Sequence, residues 1–226
     1  MGTHGSGLSG GLAHEDRLFT SADGVPCRRA GRRRASGERG AALVEAALIM
    51  PLLILVVFGV LEAGYAFFGR LTINNMSVVG ARQASGQANE VLADYRIVQS
   101  VGDASSSMSP STINLIVVFK ASGPGDSVPT ACKANSLSGT CNRYTGASLS
   151  LAEDQFGCTG PPGPTVKLDS YWCPTSRKTA LTGANGPPDY IGVYIEGVHT
   201  NLVGFWGQSF TFSSTNVMRI EPRTLR

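Results

Sequence analysis

Two positions in this chain of 226 residues carry chemistry that an inert apolar segment has no use for. Glu45 lies inside an apolar run, and Gly40 stands five positions before it, directly after the basic stretch CRRAGRRRASGER. A carboxylate placed in hydrocarbon costs roughly 2.5 to 3.5 kcal/mol on insertion scales, so it calls for a partner. The natural partner is an amine. Cleavage after Gly40 would free the α-amino group of Ala41 at membrane depth, beside Glu45 of a neighbouring copy. The chemistry in view is therefore processing and assembly.

Other reactive residue types are sparse. Cys132, Cys141, Cys158 and Cys173 are spaced by 9, 17 and 15 positions with no C-x-x-C pair, which argues against zinc and for disulfides. Four cysteines allow three pairings, and sequence-local closure favours Cys132 with Cys141 and Cys158 with Cys173. Cys27 is left over, on the other side of the apolar run. His4 and His14 are too isolated to ligate a metal, and His199 reads as a structural residue on a strand. Asp169, Asp189 and Glu196 show no partner pattern and read as solvated acids. There is no G-x-S-x-G, no phosphate-binding glycine loop and no H-E-x-x-H. No catalytic constellation, metal site or cofactor site is expected, and the chain does not read as an enzyme.

The element that must position Gly40 and Glu45 is the run from residue 40 to 69, with 16 residues free of charge between Ala46 and Leu61. A membrane span needs about 20 largely apolar residues. Inside it, Pro51 removes one backbone donor and bends a helix where a neighbour can re-satisfy the carbonyl. Gly59 and Ala63, four apart, form a small-xxx-small face that lets another helix approach closely. Glu62 lies roughly 25 Å beyond Glu45 along a helix axis and belongs near the far interface.

The formal net charge of +3 belongs to residues 1–40, which hold seven Arg against four acids, whereas the remainder is balanced. Nucleic acid is therefore not an expected partner. Six Arg between residues 25 and 39, against only Arg70 and Arg82 between residues 70 and 89, place the N-terminus in the cytoplasm. A basic region before an apolar run is also the pattern of a secretory signal, with Gly64-Tyr65-Ala66 as its cleavage site, but a signal peptide has no role for Glu45.

Residues 70–106 continue the helix as a stalk, with Gly80 and Gly86 as weak points and an apolar stripe of Val91, Leu92, Tyr95 and Val98 that packs on the sheet after it. Beyond the stalk the composition turns to Ser, Gly, Pro and Thr around three strand-like runs, 112–120, 190–200 and 208–221, enriched in β-branched and aromatic residues. The fold class is α+β: a long N-terminal transmembrane helix, then a small antiparallel sheet domain with disulfide-closed loops. The expected organisation is a disordered basic cytoplasmic leader (1–39), the span (40–69), the stalk (70–106) and an extracytoplasmic sheet-containing domain (107–226).

From Arg39 the sequence runs Gly40-Ala41-Ala42-Leu43-Val44-Glu45, then Leu48, Pro51, Gly59, Glu62, Gly64, Arg70, Leu71, Gly80, Ala81 and Arg82. This pattern resembles the TadE-like pseudopilins of tight-adherence pilus systems, as does the C-terminal Met218-Arg219-Ile220-Glu221-Pro222. Ala46 stands where prepilins of this kind commonly carry an aromatic residue. The resemblance implies prepilin-type cleavage after Gly40 and a role in pilus assembly or adhesion. It further implies an inner-membrane location, with a prepilin-type peptidase, other pilin subunits and an assembly platform as partners. The competing reading is a single-pass anchor presenting an extracytoplasmic binding domain outside any pilus.

Overall fold

The structure, a computed structural model, describes residues 36–87, 89–105, 108–109, 112–134, 139–158, 167–201 and 207–222. Of the leader expected to be disordered, residues 1–35, with His4, His14 and Cys27, lie outside the described residues, whereas residues 36–39 are already helical. The chain divides into two compact units, Met1–Leu48 and Ile49–Arg226. In the first, the described residues form the opening turns of helix α1, Ser36–Gln87.

In the second unit α1 changes character along its length. Up to Leu71 its large apolar side chains are exposed; from there on the buried positions are Thr72, Ile73, Met76, Ser77, Gly80, Ala81, Ala84 and Ser85. Steps of three and four put these on one face, and that face is small-sided, so the helix lies close to what it covers. Gly80 shows how close: a Cβ there would lie 2.9 Å from Val101 Cγ2 and 3.1 Å from Val193 Cγ1. The helix therefore passes through Gly80, where glycine serves close packing, and ends at Gln87, one residue beyond Gly86. A second helix, α2, comes next at Ala93–Ala104 and buries Ala93, Asp94, Ile97, Val98 and Val101 along one side. Of the expected stripe, Val98 is in the core, Leu92 and Tyr95 pack against it, and Val91 is exposed.

The sheet comprises β1 (Ile113–Ala121), β2 (Cys141–Tyr144), β3 (Tyr190–Thr200) and β4 (Ser209–Arg219), in the order β2-β1-β3-β4 with every pairing antiparallel. Its two faces bury different things, as the period of two along a strand requires. Ile116 and Val118 of β1 and Ile191, Val193 and Ile195 of β3 face α1 and α2. Val117, Phe119 and Tyr194 face the opposite way, onto a short helix, α3 (Thr130–Lys133), and the Cys132–Cys141 disulfide. Two glycines of β3 serve these contacts: Gly192 gives room to the ring of Phe119, and a Cβ on Gly197 would meet Ile73 Cδ1 at 2.6 Å. Where α1 crosses β4 the contact is polar, with Ser77 Oγ 2.8 Å from Ser214 Oγ and accepting from Asn216 Nδ2 at 2.6 Å. Ser85 Oγ donates to the carbonyl of Arg219, fastening the end of α1 to the end of β4.

The stretch between β1 and β3, expected to be loop-rich, holds α3, β2 and three single turns of 3-10 helix at Gly146–Ser150, Glu153–Gln155 and Pro174–Ser176. A second disulfide, Cys158–Cys173, closes its later part.

Candidate functional site

In the first unit, Gly40, Ala41 and Glu45 all lie on α1 with exposed side chains, and nothing approaches within 4 Å of where a Cβ on Gly40 would stand. Ala41 and Glu45 are one turn apart on the same helix face. Leu43 is 71% and Leu48 74% exposed. Burying such a side chain is worth roughly 1.5 to 3 kcal/mol, so a face of this kind is stable only beside lipid or another apolar surface. Among the described residues, α1 is the one helix long and apolar enough to cross a membrane, and the fold buries none of its most apolar window. One such helix is the pattern of single-pass anchoring.

In the second unit, Pro51, Gly59 and Ala63 line one apolar groove of about 920 Å³, and α1 continues unbroken through Pro51. Phe210 and Phe212 of β4 form part of the same groove, which Glu62 and Arg70 also border. His199 of β3 lies with Nε2 3.2 Å from Glu62 Oε1. The lone histidine of the strand therefore meets the acid at the far end of the apolar run.

The sheet domain holds a buried polar cluster with no signature in the sequence. Asp94 of α2 forms an ion pair with Arg177, Oδ1 to Nη2 at 2.7 Å, both side chains fully buried. Its Oδ2 accepts from Arg177 Nη2 at 2.9 Å, Asn142 Nδ2 at 2.7 Å and the Tyr144 hydroxyl at 2.8 Å. Asn142 is also joined to the backbone of Trp172, donating to its carbonyl and accepting from its N–H at 2.8 Å each. The Arg177 guanidinium stacks 4.2 Å over the Trp172 ring. Burial first, then the charges of Asp94 and Asp169, push the Tyr144 hydroxyl well above the usual phenol range.

Asp169 is buried rather than solvated, because its Oδ1 accepts from the Gly157 N–H at 2.6 Å. Desolvation, then the charge of Asp94, raise its carboxyl to about 6. The other two acids expected at the surface are also engaged. Asp189 pairs with Lys120 at 3.1 Å and accepts from the Lys178 N–H, while Glu196 accepts from the Tyr194 hydroxyl at 2.6 Å. Having both partners at zero exposure keeps the Asp94–Arg177 pair from any substrate, and the cluster clamps α2, β2 and the Cys158–Cys173 loop together. Among the described residues no group of His, Cys, Asp and Glu is placed to hold a metal ion.

The family model described as TadE-like protein matches residues 40–82, which span Gly40, Glu45, Pro51, Glu62, Arg70 and Gly80. No curated protein and no solved structure matches the chain. The match covers the exposed part of α1 and most of its face on the sheet, and over residues 40–82 the chain is similar to TadE-like proteins, the family that the motif from Arg39 to Arg82 resembles.

Proposed function

We propose that this protein is a pseudopilin or minor pilin of a tight-adherence pilus, cut after Gly40 by a prepilin-type peptidase and assembled through Glu45. A pilin-like function associated with such pili is what the TadE-like segment implies. The observation that carries the finer reading is the placement of Gly40, Ala41 and Glu45 near the start of a helix whose apolar run the described residues leave uncovered. After cleavage the amine of Ala41 on one subunit pairs with Glu45 on the next, at a depth where neither charge is tolerable alone. Once the subunit leaves the bilayer for the fibre, Pro51, Gly59 and Ala63 give the packing face against neighbouring helices. The leader, residues 1–39, stays in the cytoplasm, and the sheet domain stands outside the inner membrane, where its disulfides form. Its partners are other pilin or pseudopilin subunits and the assembly platform, and it primes, caps or decorates the fibre.

N-terminal sequencing of the membrane-extracted protein, expressed with its pilus machinery, tests the processing step directly. Ala41 is the expected first residue. Gly40→Leu leaves the chain longer by its leader, and Glu45→Gln leaves it cleaved and inserted but no longer co-purifying with pilus subunits. An intact Gly40–Ala41 bond in the parent protein turns the account toward a plain membrane anchor. Assembly of Glu45→Gln at the parent's level refutes the inter-subunit pair.

A further inference from the structure

Where the lower end of the sheet lies relative to lipid is set by the contacts of α1, given the reading of α1 as a membrane span. Counted back from Glu62, the about 20 residues that a span needs begin near Ala42, and the stretch from Glu62 to Arg70 then rises roughly 12 Å through the interface. The sheet does not stand clear of the helix at that level. His199 Nε2 is 3.2 Å from Glu62 Oε1, and the Phe212 ring lies 3.7 Å from where a Cβ on Gly69 would be. The ends of β3 and β4 that carry these residues reach down to where the apolar run stops. Phe210 and Phe212, stacked with ring centroids 6.4 Å apart, border the groove whose other wall is α1 from Pro51 to Arg70.

We propose that this groove seats a phospholipid of the surrounding bilayer, with an acyl chain along α1 and the phosphate at Arg70, making the β3–β4 end of the sheet a second membrane contact. The groove wall is continuous with the apolar run of α1, so a lipid beside that run meets the groove without crossing polar surface. Arg70 is exposed at its upper end, and side chains on a helix lean toward the helix N-terminus, here toward the membrane, which brings the guanidinium down to phosphate level. Aromatic residues favour that same level, and exposed Tyr65 shares it with the two phenylalanines. Glu62, the acid bordering the groove, is engaged by His199. A neighbouring helix would fit the apolar wall too, but the cation at the groove's end asks for an anion, which a phosphate supplies.

The test is photolabelling of the full chain in vesicles of phosphatidylcholine and phosphatidylglycerol that contain a phosphatidylcholine with a diazirine near its glycerol. Tandem mass spectrometry then locates the adducts. The expected result is adducts on α1 between residues 58 and 68 and on Phe210 or Phe212, at least fivefold above exposed Thr175. In Arg70→Gln the adducts on the two phenylalanines fall at least threefold while those on α1 persist. Labelled α1 with Phe210 and Phe212 at the level of Thr175 overturns the proposal and leaves the anchor intact, whether a second copy or water fills the groove. Adducts indifferent to Arg70→Gln overturn it as well. An unlabelled α1 removes the anchor reading and this proposal with it.

Discussion

Arg177→Met is the perturbation whose cost the structure defines best. It removes the cation facing Asp94 while keeping an unbranched, shorter apolar chain beside the Trp172 ring. Because both members of the pair are fully buried, the remaining carboxylate cannot recruit water. Breaking such a pair costs about 3 to 5 kcal/mol, since an uncompensated charge stays behind. Asn142 and Tyr144 still donate to Asp94 at 2.7 and 2.8 Å, which holds the cost toward the lower end of that range. Asp94→Asn leaves the guanidinium without its counter-charge and belongs in the same range. The double variant leaves only neutral groups, so it should cost about 1 to 3 kcal/mol, the penalty of imperfectly paired polar atoms, and less than either single change. The assay is urea unfolding of the full chain in detergent with disulfides intact, followed by tryptophan fluorescence, for which Trp172 under Arg177 is the reporter. A cost below about 1 kcal/mol for Arg177→Met, or a double variant as costly as the sum of the singles, refutes the clamp.

Two further outcomes concern the same loop. The folded chain holds the proton of Asp169 up to about 6 while the unfolded chain releases it near 3.8, so its contribution is fully present below the lower value and lost as pH rises through the higher. Across pH 4 to 7 that loss is about 3 kcal/mol at most, and in Asp169→Asn the urea midpoint, measured at intervals of one pH unit, should lose this part of its slope relative to the parent; identical slopes would show that Asp169 does not titrate there. Replacing Cys158 and Cys173 together by Ser should cost about 3 kcal/mol, the chain-entropy value for a closed loop near 15 residues, with Cys132–Cys141 still recovered by non-reducing peptide mapping; a loss below about 1 kcal/mol would mean that the Asp94–Arg177 clamp holds the loop without its bridge.

What could be read in the residues divides according to where each one's partner lies. The expected strands at 112–120, 190–200 and 208–221 correspond to β1, β3 and β4 within a residue or two, because each faces packed layers and repeats its residue types accordingly. β2 was not legible: Cys141-Asn142-Arg143-Tyr144 has no alternation, and its partners are a disulfide, Trp172 and Asp94. Asp94 and Arg177 are 83 positions apart, beyond any local pattern, and Asp169 reads as a surface acid until its bond to Gly157 is seen. Gly80 reads as a weak point because the sequence shows a missing side chain and not the Val101 and Val193 that need the space. The segment from Gly40 to Arg70 is the reverse case. The described residues cover little of it, so its residue types answer to whatever surrounds the helix, and a bilayer imposes a long unbroken apolar run with rare charges that is plain in the residues themselves. The core of the sheet domain answers to the packing of its own layers. Its specificity lies in pairs brought together by folding, and the family match ends at Arg82, just before the end of the helix face that packs on the sheet.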